Sequence, residues 1–232
     1  SGSVCEIDVC YYSVDVAGNS ESVTRSATFH IDKQGPSTSA DPTSRSWDNT
    51  DISVDITASD SGSGVDHIEY CWTESSSCTP GTTASGSSTT VSRSSTGDWT
   101  LCHRAVDTLG NTGSTTCDSP YRIDKVAPST SIDSPSENSW QDADFEVGFS
   151  DSDSGGSGLD VCEYSVSDDG TETLGLTSRT CGGSATVDIS SDCPTDGYGS
   201  CLVESSVDDV AGNNDVASRS FSICTHADGV VD

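Results

Sequence analysis

Apolar side chains recur at every second position over short stretches of this chain. Ile52, Val54, Ile56 and Ala58 alternate with Ser53, Asp55 and Thr57, and Phe145, Val147 and Phe149 alternate with Glu146 and Gly148. Successive side chains of an extended strand point to opposite faces, so this pattern predicts half-buried β-strands. Ile68, Tyr70 and Trp72 carry it into the next strand. No stretch shows the spacing of an amphipathic helix. Ser, Thr, Gly and Asp punctuate the chain every several residues, as turns require. About seven short strands per 90 to 100 residues predict an all-β fold of two packed antiparallel sheets.

The pattern repeats. Val14–Asn19 reads Val-Asp-Val-Ala-Gly-Asn, Val106–Asn111 reads Val-Asp-Thr-Leu-Gly-Asn, and Val207–Asn213 reads Val-Asp-Asp-Val-Ala-Gly-Asn. These copies lie about 92 and then about 101 residues apart. Phe29-His30-Ile31-Asp32-Lys33 matches Tyr121-Arg122-Ile123-Asp124-Lys125, and Pro36-Ser37-Thr38-Ser39 matches Pro128-Ser129-Thr130-Ser131. A third element, Ala58–Asp66, matches Ser150–Asp160 and has no counterpart before residue 36. The repeats divide the chain into the last third of a module (1–36), a module (37–127) and a module with a short tail (128–232). Boundaries fall at Pro36 and Pro128, where proline ends one strand and opens an extended connection. Residues 1–36 hold too few strands to close a sandwich. Their missing strands are expected from upstream sequence or from another molecule.

The series Asp-Ser-Gly-Ser-Gly-Val-Asp at 60–66, then Val-Asp-x-x-Gly-Asn, then Ile-Asp-Lys-x-x-Pro-Ser resembles the immunoglobulin-like repeats of large secreted surface proteins and adhesins, mostly bacterial. That resemblance implies tandem immunoglobulin-like β-sandwich modules that serve mainly as spacers and stalks. The chain departs from the pattern in its cysteine density, and in Cys224, which stands where Asp32 and Asp124 stand in the earlier copies.

Charge narrows the partners. With 38 acidic against 9 basic side chains the formal net is -29, and residues 128–232 alone hold 21 acids against 2 bases. A phosphate backbone rewards clustered Lys and Arg, so nucleic acid is not an expected partner. A surplus of Asp favours divalent cations, or serves solubility alone. No apolar run approaches the roughly 20 residues of a membrane-spanning helix. Ser1 to Val4 lack a basic start and an apolar core, which leaves the expectation of a mature chain or a piece of a longer one.

Eleven cysteines beside 4 Phe, 4 Trp and no Met point to an oxidising, extracellular setting in which cross-links supplement a modest core. Zinc is disfavoured by the absence of any Cys-x-x-Cys pair. Local spacing favours the bonds Cys71–Cys78, Cys102–Cys117, Cys162–Cys181 and Cys193–Cys201, although cross-sheet pairing stays open. Cys5, Cys10 and Cys224 remain. They either bond beyond this chain or divide into a local Cys5–Cys10 bond and a free Cys224.

In a seven-strand sandwich the loop after the second strand and the loop before the last lie at one end, the end that receives the incoming linker. In the second module this gathers Asp60, Asp66, Asp107 and Asn111 beside Asp32. In the third it gathers Asp151, Asp153, Asp160, Asp208, Asp209 and Asn213 beside Asp124. Convergent hard oxygens suit calcium. The same residues also serve as turn caps, with Gly18, Gly110 and Gly212 and the Asn after each taking positive φ. Catalysis has no motif here: His30, His67, His103 and His226 sit in no Gly-x-Ser-x-Gly or His-Glu-x-x-His setting. Asn-x-Ser/Thr is absent.

The expectation is therefore a non-enzymatic, extracellular structural segment or subunit of a fibre, stalk or adhesin, continued in a longer repeat chain or self-associating by strand donation. The rival is a carbohydrate- or receptor-binding module. It needs an exposed aromatic platform or a loop unlike its sister copies, for which 167–176 is the candidate. Trp47 and Trp140 match across modules and read as repeated packing.

Overall fold

The computed structural model describes residues 4–225, and nearly all of its regular structure is strand. The described residues form two compact units. One is drawn from 1–45, 52–93 and 98–121, the other from 46–51, 94–97 and 122–232.

The first unit begins with two small antiparallel pairs, β1 (Val4–Ile7) with β4 (Phe29–Asp32) and β2 (Cys10–Tyr11) with β3 (Thr24–Arg25). Seven strands follow: β5 (Ser37–Asp41), β6 (Ile52–Ser59), β7 (Val65–Thr73), β8 (Thr82–Ser85), β9 (Ser88–Arg93), β10 (Gly97–Asp107) and β11 (Thr116–Ile123). They form a three-stranded sheet in the order β5-β6-β9 and a four-stranded sheet in the order β11-β10-β7-β8. The alternation read from the sequence is the alternation of burial: Ile52, Val54 and Ile56 are buried and Ser53, Asp55 and Thr57 exposed. Tyr121 lies edge-on to Trp72 at 5.3 Å between ring centroids and donates its hydroxyl to the Pro42 carbonyl. Between the sheets the His103 ring, with no solvent exposure, meets Thr38 Oγ1 through Nδ1 and Asp118 Oδ2 through Nε2, both at 2.8 Å.

The second unit repeats the plan. It holds β12 (Ser129–Ser134), β13 (Trp140–Gln141), β14 (Phe145–Ser152), β15 (Leu159–Asp168), β16 (Thr171–Ser178), β17 (Ser184–Val187), β18 (Gly197–Asp209) and β19 (Asn214–Ile223). Their sheets run β12-β14-β17 and β13-β19-β18-β15-β16. Phe145, Val147, Phe149, Val166, Val203, Phe221 and Ile223 fill the space between. One helical turn, α1 (Ile189–Asp192), was not expected from periodicity; four residues are too few to display any. It starts because the Asp188 side chain accepts from the Ser190 N–H.

The strands β1 to β4 form two-stranded pairs only, with no facing sheet. Ile7, Val9, Tyr11 and Phe29 stand 92 residues before Trp99, Leu101, His103 and Tyr121. The earlier four are exposed (43, 49, 55 and 53%), whereas the later four are buried. Identical sequence periodicity thus gives opposite burial, because only the second copy has a facing sheet. Tyr121→Ala is therefore expected to destabilise the first unit by about 3–5 kcal/mol, the range for truncating a buried aromatic. Phe29→Ala is expected to stay within about 0.5 kcal/mol. Urea unfolding of the two variants measures both values.

Candidate functional site: two carboxylate hubs

Two trios of aspartates are drawn together by the same local chemistry. The turn after β10 closes on Asp107, whose Oδ1 accepts from the N–H groups of Leu109 and Asn111 and whose Oδ2 accepts from the Asn111 side-chain amide at 2.7 Å. Gly110, at φ 86°, permits this turn without steric cost. Asn111 also donates to the Asp32 carbonyl, which brings the end of β4 onto the turn. Asp32 then accepts from Gln34 N–H through Oδ1 and from Ser63 N–H through Oδ2. Asp60 caps the loop after β6 by accepting from Gly62 and Gly64 N–H. One carboxylate oxygen from each of Asp32, Asp60 and Asp107 lies within 4.8 Å of the others.

The second unit builds the same hub from Asp124, Asp153 and Asp209, again within 4.8 Å. Asn213 donates through Nδ2 to Asp209 at 2.7 Å and to the Asp124 carbonyl at 2.9 Å. Asp124 accepts from Val126 and Ser157 N–H, and Asp153 from Gly155 and Gly158 N–H. In both hubs glycine admits the incoming carboxylate. A Cβ on Gly62 would sit 2.3 Å from Asp32 Oδ2, and one on Gly155 would sit 1.9 Å from Asp124 Oδ1. The sequence reading passed over Gly62 and Gly155, although the repeated Asp-Ser-Gly motif marked them.

Two members of the first trio, Asp32 and Asp107, are held in the charged form. The Gln34 and Ser63 N–H bonds keep the Asp32 carboxyl below its ordinary value, against burial and the charge of Asp107. Burial pushes Asp107 up, but the Asn111 amide and N–H bonds prevail and leave it low. The Ser63 hydroxyl also favours the ionised form of both groups, yet its oxygen is buried with no partner in hydrogen-bond geometry. The hydroxyl oxygen of Ser157, the matching residue, is likewise buried and unpartnered.

Other expected ligands lie elsewhere. Asp66 is exposed and bonded to His67 Nδ1, and Asp160 is exposed. Asp208 accepts from the Asn214 amide. Asp209, one residue later, stands in the place of Asp107, because its N–H bonds the Asn213 carbonyl as that of Asp107 bonds the Asn111 carbonyl. The repeat there is one residue longer than the sequence comparison made it. Asn111 and Asn213 act as braces, giving their amides to the turn carboxylate and to the linker carbonyl. Asp151 is occupied: it forms a buried ion pair with Arg179, at 2.5 Å from Nη1 and 3.0 Å from Nη2, and accepts from Thr130 and Gly182.

Cysteine pairs as Cys71–Cys78, Cys102–Cys117, Cys162–Cys181 and Cys193–Cys201, while Cys5, Cys10 and Cys224 are thiols. The sulfurs of Cys71, Cys78 and Cys102 lie within 4.8 Å, but all three are in disulfides, which leaves no thiolate for a metal. Thr38, His103 and Asp118 have the atom order of a nucleophilic triad. The ring is fully buried, and in the second unit the Thr38 and His103 positions hold Thr130 and Ser205, whose hydroxyls meet at 2.7 Å; this is a polar joint between sheets. The loop at 167–176 is the β15–β16 hairpin and carries no aromatic side chain. His226 lies outside the described residues.

No family model matches the chain, and no curated protein matches it either. Among solved structures it is similar to the fibronectin(III)-like modules of Clostridium thermocellum CbhA, at 14% identity and TM-score 0.38 over 84% of this chain and 99% of that one. It is similar to the chicken CNTN1 FN1–FN3 domains at 7% identity and TM-score 0.30, over 93% and 77% of the two chains. Domains 7, 8 and 9 of the S-layer protein SbsC match at 10% identity and TM-score 0.24, over 87% and 67%.

Gly155→Ala is expected to displace Asp124 and to cost the second unit about 1–3 kcal/mol, as overpacking does; Ser154→Ala, beside it, serves as the control in thermal unfolding. Arg179→Leu is expected to cost about 3–5 kcal/mol at neutral pH, since it leaves Asp151 charged and buried. Burial raises the Asp151 carboxyl, but the bonds from Arg179, Gly182 and Thr130 hold it below 3.8. Its contribution is thus present above that value and lost as pH falls through the lower folded one. The gap between wild type and Arg179→Leu should close in acid, which unfolding at neutral pH and near pH 2 measures.

Proposed function

We propose that this chain is a non-catalytic structural segment of an extracellular repeat protein, and that calcium at the carboxylate hubs stiffens it. The observation that carries the reading is the repetition of one hub in two units: a linker aspartate, a loop aspartate and a turn aspartate, with Asp107, Asp124 and Asp209 buried. Oxygen donors of this kind suit a hard cation that takes about 6 to 8 oxygens. Three carboxylates supply part of that shell, and the buried Ser63 and Ser157 hydroxyls stand beside it unpartnered. No Lys or Arg bond to either trio is among the described contacts, and a bound cation would supply counter-charge. When bound, calcium neutralises that charge; the chain's own residues position the linker.

Four disulfides support an oxidising location; among the described residues no helix is long and apolar enough to cross a membrane. The thiols of Cys10 and Cys224 are exposed and available to a further chain.

Calorimetric titration of the chelated chain with calcium chloride tests the reading. Heat of binding is expected, with thermal stability rising in proportion to the logarithm of calcium excess. Asp153→Asn should abolish binding at the second hub, while Asp160→Asn leaves it intact. Stability that ignores both calcium and chelator would mean that the carboxylates serve only as acceptors for their own loops.

A further inference from the structure

We infer that Cys71, Cys78, Cys102 and Cys117 of the first unit form a thiol-exchange site, at which an incoming thiolate is captured on Cys117 while the other three sulfurs re-pair. The Sγ atoms of Cys71, Cys78 and Cys102 lie within 4.8 Å of one another, although they belong to two different disulfides, Cys71–Cys78 and Cys102–Cys117. Neither disulfide of the second unit, Cys162–Cys181 or Cys193–Cys201, belongs to such a group among the described residues. There Glu204, five residues before Asp209, takes the place that Cys102 holds five residues before Asp107, and its partner on the next strand is Ser165.

Access selects the sulfur that is attacked. Cys102 has no solvent exposure and Cys71 and Cys78 are half-buried, whereas Cys117 is exposed on β11, the edge strand of its sheet. Exchange proceeds by attack of a thiolate on a reachable sulfur. At Cys117 the incoming sulfur bonds to Sγ as the Cys102–Cys117 bond breaks, and the electron pair leaves on Cys102 Sγ. A thiolate at a fully buried position is disfavoured. The sulfurs of the second disulfide stand within 4.8 Å of it. Attack on Cys71 Sγ then forms Cys71–Cys102, breaks Cys71–Cys78 and passes the electron pair to Cys78.

The backbone already suits the new bond. Cys71 and Cys102 are direct partners in the β7–β10 register. Antiparallel partners have Cα atoms about 4.5 or 5.5 Å apart, inside the roughly 4.4 to 6.8 Å that a disulfide spans. One thiolate and two disulfides enter, and one thiolate and two disulfides leave, so no oxidant or reductant is consumed. The final thiolate, on half-buried Cys78, is better solvated than one on Cys102, which opposes return. Loop 74–81, between β7 and β8, loses its staple and carries the new thiol. The co-substrate is a thiol, either a small molecule or the exposed Cys10 or Cys224 of a second copy.

The test uses the full folded chain without denaturant. The chain is incubated with cysteamine, whose positive charge suits an anionic surface. It is then quenched with N-ethylmaleimide, digested without reduction and mapped by mass spectrometry. The expected products are an adduct on Cys117, a Cys71–Cys102 disulfide and a maleimide on Cys78, with both disulfides of the second unit intact as the internal control. The mass added to Cys117 identifies the source: cysteamine, or a Cys10 or Cys224 peptide of another copy, and either supports the inference. It is overturned if Cys71–Cys102 does not form, if Cys102 carries maleimide while Cys71–Cys78 is retained, or if the adduct sits on Cys78. Cys71→Ser with Cys78→Ser removes the acceptor, so the Cys102 thiolate can only re-form its own bond. That double variant should lose most of the Cys117 adduct, and full retention overturns the relay. Should it fail to fold, the map of the unaltered cluster decides alone. Calcium takes no part in the exchange, so this result and the hub titration stand independently.

Discussion

Everything at the receiving end of each sandwich depends on one buried carboxylate, Asp107 in the first unit and Asp209 in the second. Burying a carboxylate is unfavourable unless every oxygen is satisfied. Here the satisfaction is local: the turn's own N–H groups and the amide of Asn111 or Asn213 supply the donors. The same amide reaches the carbonyl of Asp32 or Asp124, so closing the turn also captures the linker. The captured linker aspartate then organises the glycine loop. The dependence runs in one direction, from turn to linker to loop. Asp15 and Asn19 of the half module show the first step alone, a satisfied turn with its carboxyl held low by Asn19.

Away from the hubs, the fold rests on a thin apolar core supplemented by covalent and polar joints. Leu101, Cys102 and Ala105 are fully buried on β10, and the Cys102–Cys117 bond ties that strand to β11. Where the first unit bridges its sheets with His103, the second uses Thr130, Ser205 and the Arg179–Asp151 pair. Replacing one polar solution by another at matching positions shows that the requirement is satisfaction of buried groups and not any particular side chain.

Much of this was legible in the sequence because strands and turns are local. Period two located β6, β7 and β14, and the four short-range cysteine spacings are the four disulfides that form. The hubs were legible as a neighbourhood, and their membership was not. Asp151 near the end of β14 and Asp153 just after it lie two residues apart and are indistinguishable by type; only the three-dimensional position of Arg179, 28 residues on, claims Asp151 for an ion pair. Asp208 and Asp209 differ by a strand's alternation, so a single added residue decides which one turns inward. Trp140, 59% exposed, was misjudged for a related reason. Its likeness to Trp47 is real in sequence, but burial is set by neighbours, and Ser222 stands where Arg122, whose guanidinium lies over the Trp47 ring, stands.

The two ends of the second unit differ along a single strand. β18 runs from Gly197 to Asp209, and an extended chain of that length spans roughly 40 Å. At the Gly197 end Cys224 replaces the linker aspartate, yet its N–H bonds the Gln141 carbonyl as the N–H of Asp124 bonds that of Asp48. The backbone device that presents a linker carboxylate is thus kept while the carboxylate is lost. Loss of the hub ligand, loss of the stacking arginine and the register slip between Gly197 and Cys201 occur together on one end of one module. Three changes on one surface, in a scaffold otherwise repeated, set that end of the second unit apart from its counterpart in the first.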